Sequence, residues 1–409
     1  MSLFSSAKGT AAGSVIAVFD VGSGSVGAAL VYLSRTRLPN IIWTKRTPIT
    51  FQETPEFEKL SKSMLSTLLD MALLLQSEGV PLLKQLDGPK RVSDVMFGFA
   101  SPWYSMQAKV FKVEKEQEFE ITENFIQSLI KKEEQEFRKT PAGKEGGGSS
   151  APVLIERQII QTSLNGYVVS DPYNKPVKNA QIDLVLSAIP SYIYEKASDI
   201  RTQLVHKRSG GIFNSFILPA FIVTRDVFHN NTNFLLIDVS AEVTDLVTVN
   251  KGTIIDATSF PHGKHTVIRE VASKLGTVPE EAASMLAGYL EGNSTSVQAE
   301  EIKHILKEVQ KTWLLHFTET LEKISRDAPL PKHVFLTVDD DYGEWFKRVI
   351  AAGDFSEFAL SKTPFKITVL SADVLAQYCD HSKLTAELDP FLAIETLFLQ
   401  KLLYEQDTF

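Results

Sequence analysis

A few closely spaced residues near the start of the chain have the types and order to hold an anion and a metal ion. Asp20, Gly22, Ser23, Gly24 and Ser25 lie between two apolar, β-branched runs, Val15–Phe19 and Ala28–Tyr32, and so form the tip of a β-hairpin. A phosphate needs several backbone N–H groups converging on one point. Glycines let the chain turn sharply and come close to an anion, because no Cβ stands in the way. The two serines add hydroxyl donors, and Asp20, at the end of its strand, is placed to hold Mg²⁺ through water. The same glycines would also serve an ordinary turn, and the stretch alone fits both readings.

A second stretch repeats this construction. Phe234-Leu235-Leu236-Ile237 ends in Asp238, a short turn follows, a second apolar strand starts at Thr244-Asp245, and Asn250-Lys251-Gly252 turns the chain into Thr253-Ile254-Ile255. Two Asp-tipped hairpins, each heading its own half of a long chain, predict a duplicated fold with a nucleotide in the cleft between the halves.

The remaining elements must position these tips. Ile41–Trp43 continues the first meander as a third strand. Phe57, Leu60, Met64, Leu68 and Leu75 recur at helical spacing, predicting an amphipathic helix to about Gln76 that covers one face of the sheet. Between Arg91 and Ser187 the texture changes. Strands are predicted at Asp94–Phe99, Gln107–Glu114, Val153–Leu164 and Lys178–Ser187, with a helix at Glu123–Arg138 started by Thr122 as N-cap. This reads as a small α+β module inserted into a larger fold, and the glycine-rich Thr140–Ser150 within it reads as a flexible linker. A helix at Tyr192–Val205 and the apolar Phe213–Phe221 return the chain to the core. Further helices are predicted at Thr266–Leu275, Glu280–Ala287 and Val297–Ile324, and strands at His333–Val338 and Phe365–Leu370. Asp339-Asp340-Asp341 reads as a solvated loop, and His304 and His316 as solvated or capping residues. Pro390–Leu403 is apolar nearly all round. A membrane-surface helix needs a basic face, and only Lys401 is basic there, so burial in the fold is expected.

Composition bounds the rest. The 409 residues, 44% hydrophobic and 22% charged, describe a globular chain too long for one core. A net charge of −8 without a run of Lys or Arg argues against a nucleic-acid surface. The lone Cys379 excludes an internal disulfide and a Cys-rich zinc site, and fits a reducing cytoplasm. No leader-like segment and no spanning apolar run is seen. The expected location is therefore cytoplasmic, with any membrane association peripheral.

The pair VIAVFDVGSGSVGAALV and FLLIDVSAEVTDLVTVNKG resembles the two phosphate motifs of the actin, Hsp70 and sugar-kinase superfamily. Between them, EITENFIQSLI, IIQTSLNGYVV and SDPYNKPVKNAQIDLVLSAIP resemble the SHS2 subdomain inserted in the bacterial cell-division protein FtsA and found also in the pilus-assembly protein PilM. The resemblance implies an α/β, duplicated actin/Hsp70-like (ribonuclease H-like) two-lobed fold with an inserted α+β SHS2 subdomain. It divides the chain into lobe 1 at 14–90 and 188–232, the insert at 91–187, lobe 2 at 233–265 and 330–389, a helical subdomain at 266–329, and a C-terminal helix at 390–409.

It also implies ATP and Mg²⁺ as cofactors, with Asp20 and Asp238 holding the metal through water. Asp20, Gly22, Ser23, Gly24 and Ser25 match the first phosphate loop, while Asp238, Ser240, Thr244 and Asp245 match the second, and Gly263 and Lys264 a Pro-x-Gly-Gly turn. The chain departs from the family where glycines are replaced by Ser240, Ala241 and Glu242, and where Lys264 replaces the turn's second glycine. Glu242 would set a negative side chain beside the phosphates, with Lys264 to offset it. At the adenosine motif, Leu336-Thr337-Val338-Asp339-Asp340-Asp341-Tyr342 stands where backbone should admit the nucleoside. These departures predict weak, altered or absent nucleotide binding and at most a weak ATPase with no nameable general base. The implied function is an FtsA-type scaffold or adaptor of a membrane-associated assembly, self-associating and bound to a component of a membrane machine, with no transmembrane segment of its own. The alternative is a PilM-like protein of type IV pilus assembly that binds a membrane protein's cytoplasmic tail. A sugar or metabolite kinase stands third.

Overall fold

Each half of the chain opens with the same three-stranded meander, because each begins with apolar runs separated by tight polar turns. In the computed structural model, which describes residues 13–85, 88–139, 151–205, 210–293, 295–326, 328–359, 363–381 and 388–404, these are β1 (Ser14–Val21), β2 (Ser25–Leu33) and β3 (Asn40–Pro48), and β10 (Phe234–Val239), β11 (Thr244–Asn250) and β12 (Thr253–Phe260). The first strand of each meander then takes a parallel neighbour on its other side. In lobe 1 these are β4 (Asp94–Phe99) and β9 (Ile212–Ser215), and in lobe 2 they are β13 (His333–Val338) and β14 (Lys366–Val369). The strand order β3-β2-β1-β4-β9 is matched by β12-β11-β10-β13-β14, with the same parallel and antiparallel pairings. This is the two-lobed, duplicated actin-like fold. The expected linker at Thr140–Ser150 lies outside the described residues.

Two strands fall elsewhere than the sequence reading put them. Asp94–Phe99, expected in the insert, pairs with β1 and belongs to the first lobe's sheet, as its uninterrupted burial requires of a central parallel strand. The two-residue β15 (Asp380–His381), expected in lobe 2, adds to the outer edge of β3.

Helices cover the sheets. Leu60, Met64, Leu68 and Met71 of α1 (Phe57–Leu74) pack on Ala17, Phe19 and Phe97. A π-turn at Leu75–Gly79 leads into the short α2 (Val80–Leu82). The insert is a four-stranded sheet of β5 (Ser105–Glu120), β6 (Val153–Leu164), β7 (Tyr167–Val168) and β8 (Pro176–Ile189), in the order β5-β8-β6-β7. Its helix α3 (Glu123–Phe137) starts at Thr122, whose Oγ1 accepts from Phe125 N as an N-cap should. From there the chain runs through α4 (Ser191–Val205), which joins the core beneath lobe 1 through Ile193, Ala197 and Ile200, to α5 (Ile217–Val227). In lobe 2, α6 (Lys264–Leu275), α7 (Pro279–Leu290), α8 (Ser296–Ile324) and α9 (Asp340–Ala352) close a second core around Trp313, Phe317 and Phe346.

Asp339-Asp340-Asp341 is therefore not a solvated loop. Asp339 occupies the N-cap position of α9 and the next two acids form its first turn, where the helix dipole favours negative charge. After α10 (Ala372–Leu375), the closing helix α11 (Pro390–Tyr404) is buried on nearly all sides, as its composition predicts. It lies with α5 in a core shared by both sheets and the base of the insert, including Val18, Phe216, Val247, Ile160, Leu392 and Phe398. Among the described residues no helix is long and apolar enough to cross a membrane.

Candidate functional site

The two hairpin tips face each other across the cleft, and their backbones are near copies. Gly22 N donates to Ser25 O and Ser240 N donates to Val243 O, both at 3.0 Å. Asp20 pairs in register with Gly27, and Asp238 with Asp245, so the two aspartates are equivalent positions of the repeat. Trp103 Nε1 donates to Gly22 O at 2.8 Å and holds the first tip from behind.

The tips also touch one another. Ser23 Oγ and Ser240 Oγ are 3.2 Å apart, and Glu242 N donates to Ser23 Oγ at 3.1 Å. A Cβ on Gly24 would collide with Ala241 Cβ and crowd the His265 ring, so this glycine serves the close approach of the two loops. Gly263 packs directly against the carbonyls of Ser240 and Ala241. The first N–H groups of α6 are used in the same way: Lys264 N donates to Ser240 O at 3.1 Å and His265 N to Ala241 O at 2.8 Å. A helix N-terminus binds phosphate with these donors, and here the second loop's own carbonyls take them.

The charged side chains are likewise paired internally. Arg46, on β3, donates through Nη2 to Asp20 Oδ2 at 2.7 Å, through Nη1 to Ser25 Oγ at 2.9 Å, and through Nε to Asp389 Oδ2 at 2.6 Å. Asp389 in turn caps α11, its Oδ1 accepting from Phe391 N and Leu392 N at 3.0 Å. Burial pushes the Asp20 carboxyl up to about 6 against the pull of Arg46. Burial works against the Arg46 charge too, but Asp389 and Asp20 more than reverse it, so the guanidinium stays charged.

Asp238 is 1% exposed and accepts from Thr337 Oγ1 at 2.7 Å; burial and then neighbouring Asp245 hold its carboxyl well above the usual range. Asp245 accepts from Ser101 Oγ at 2.8 Å and Tyr104 OH at 3.2 Å, with burial raising it to about 6. Thr244 Oγ1 donates to His262 O at 2.6 Å.

Lys264 does not offset Glu242. It pairs with Asp339, at the start of α9, while Glu242 turns to Arg269, with Nη2 to Oε2 at 2.6 Å, and to His265 Nδ1 at 2.9 Å. Burial alone would raise the Glu242 carboxyl, but these two partners hold it below its ordinary value.

Of the residues expected at a nucleotide, Asp20, Gly22, Ser23, Gly24, Ser25, Asp238, Ser240 and Lys264 do line one space between the tips. Thr244, Asp245 and Gly263 are spent on the fold around it. That space is about 30 Å³, and Gly24, Ser25, Arg46 and Lys264 border the larger cavity beside it as well. This larger cavity is about 730 Å³, and its wall carries Glu280, Asp339, Asp340, Asp341 and Asp389 against Arg46 and Lys264, both already paired. The residues present therefore do not fit Mg²⁺ with a polyphosphate. The metal's carboxylate holds a guanidinium, the helix donors are taken, and the adjoining wall is acidic.

Sequence reasoning did not find Arg46, Asp389, His265 or Arg269. Arg46 and Asp389 lie 343 positions apart, so no local spacing could pair them. The one available signal was Asp389-Pro390 ahead of an apolar run, which marks a capped helix start.

No family model matches the sequence, and no curated protein matches it. Solved structures similar to the chain include a PilM-PilN type IV pilus biogenesis complex, at 13% identity, covering 97% of each chain with a TM-score of 0.49. The ethanolamine utilization protein EutJ from Carboxydothermus hydrogenoformans is similar at 10% identity over 94% of this chain and 88% of its own, TM-score 0.44. A protein of unknown function with an actin-like ATPase fold, from Bacteroides thetaiotaomicron, is similar at 9% identity over 90% and 96%, TM-score 0.37.

Proposed function

We propose that this actin-fold chain is a protein scaffold or adaptor whose cleft is held by its own side chains, and that it transfers no phosphoryl group. One observation carries this reading: the Arg46 guanidinium bridges Asp20, Ser25 and Asp389, taking the place at the first loop that a metal-bound phosphate would need. Phosphoryl transfer depends on positioning the phosphates and neutralising their charge, and a site in which carboxylates outnumber free cations supplies neither. The kinase reading falls with it.

Between the two scaffold readings, the burial of α11 favours the adaptor. That helix is part of the interlobe core and not a membrane-surface helix, which supports the PilM-like reading, in which a protein partner's tail makes the attachment to a membrane assembly. The cell-division role of an FtsA-type scaffold remains the second reading, with self-association as its mark.

Titration calorimetry with MgATP and MgADP tests the central claim. No heat of binding is expected. Micromolar affinity for either nucleotide by the unaltered chain would overturn it.

A further inference from the structure

A second cavity, of about 510 Å³, opens where the β2–β3 turn meets the end of α5 and the last turns of α11. Ile222, Val223, Val227 and Leu397 line it with apolar surface, and Leu38 stands 48% exposed on the turn beside it. Arg35 and Arg37, from the same turn, are exposed and have no ion pair or hydrogen bond among the described residues. The acid of the wall, Asp226, is shared by Lys401 and by Arg225 at 3.5 Å, so it does not neutralise these arginines. In a chain of net charge −8, this is a local excess of positive charge beside an apolar hollow.

Gln400 also lines the hollow, its Nε2 donating to Ser34 O at 2.7 Å on the turn that carries the arginines. An inorganic anion would meet the arginines and leave the apolar wall bare. A fatty acid would bring one carboxylate to two arginines. An extended peptide supplies several carboxylates and an apolar side chain together.

We propose that this cavity docks a short acidic segment of a partner protein, with one bulky apolar side chain entering between α5 and α11 and flanking carboxylates meeting Arg35 and Arg37. The site is separate from the cleft, so the proposal stands whether or not a nucleotide binds there.

Panning a random peptide library on the full chain tests it, with Arg35→Glu/Arg37→Glu as the counter-selection target. Both arginines are exposed on a turn, so this variant keeps its fold, which a thermal melt checks. Recovered peptides are expected to carry Asp or Glu on both sides of a large apolar residue. Their fluorescence-anisotropy affinity should fall at least about tenfold in the reversed variant and weaken with salt. Recovered peptides without acidic enrichment, or equal binding by the reversed variant, would overturn the proposal. So would loss of self-association by the reversed variant in sedimentation without peptide, since that would assign the face to a second copy.

Discussion

At the scale of single residues, the cleft is governed by one guanidinium. Arg46 is the shared partner of two carboxylates that the fold has largely taken out of water, with side-chain exposures of 23% for Arg46, 4% for Asp20 and 14% for Asp389. Arg46→Ala leaves both acids buried and unpaired. Breaking such a pair from one side costs about 3–5 kcal/mol, and this loss is expected in urea unfolding. Adding Asp20→Asn in the same background should recover part of it, because one of the two stranded charges is gone. A different buried acid sets a pH dependence. Glu156, in the insert, accepts from Ser215 Oγ at 2.8 Å, and burial raises its carboxyl from 4.5 to about 7. Between those values the folded chain holds more protons at this site than the unfolded chain, so the site's contribution to stability falls as pH rises through that window. Glu156→Gln is expected to flatten the melting temperature against pH between about 4.5 and 7. It should also stabilise the chain above pH 7 by up to about 3 kcal/mol. An unchanged slope would mean that the carboxyl titrates normally.

At the scale of elements, two glycines show how closely the parts approach and how differently they would respond to change. On β4, Gly98 faces Glu395 of α11, and a Cβ there would overlap the carboxylate; on the turn before α6, Gly263 faces the backbone carbonyls of Ser240 and Ala241. Alanine at either position should cost at least about 1–3 kcal/mol through overpacking. The two costs should part in combination. Gly98→Ala/Glu395→Ala should be less damaging than the sum of its single changes, because the obstacle is a side chain, whereas no side-chain change relieves Gly263→Ala. A double-mutant cycle that is additive at Gly98 would show that the contact is absent. These approaches also mark the limit of what the sequence discloses. The hairpins, the α3 cap and the burial of α11 follow from period, capping residues and composition, and the structure has them where the residues predict. The sequence does not place β4, because a buried parallel strand and an insert strand both read as a short apolar run. It does not distinguish the two forms open to the aspartates at 339–341, because an acidic loop and an acidic first helical turn share one composition. Nor does spacing choose the partner of Lys264 between Glu242, near it in sequence, and Asp339, near it only in space.

At the scale of the whole molecule, the lobes meet in more than a cleft. Val18 and Met96 of the first sheet, Val247 and Phe335 of the second, Ile160 and Val185 of the insert, and both α5 and α11 belong to one continuous apolar core. Across the cleft, Ser23 reaches Ser240, while Ser101 and Tyr104 reach Asp245. Two lobes joined only by a hinge would unfold as separate units, because neither would lose buried area when the other opened. Here, unfolding either lobe strips one side of the shared core, which at about 25 cal/mol per Å² ties the two transitions together. The four tryptophans allow a direct test, since Trp43 and Trp103 are buried in lobe 1 and Trp313 and Trp345 in lobe 2. Trp313→Phe/Trp345→Phe leaves fluorescence that reports lobe 1 alone, and Trp43→Phe/Trp103→Phe leaves a report of lobe 2. Each pair's urea transition should coincide with that of the same variant followed by far-ultraviolet circular dichroism, which senses the whole chain. MgATP should move neither midpoint, because a ligand that does not bind the folded state adds nothing to its stability. Separate fluorescence and dichroism midpoints would break the shared core into two independent ones. A shift of both midpoints with MgATP would instead restore the cleft as a nucleotide site and displace Arg46 as its internal cation.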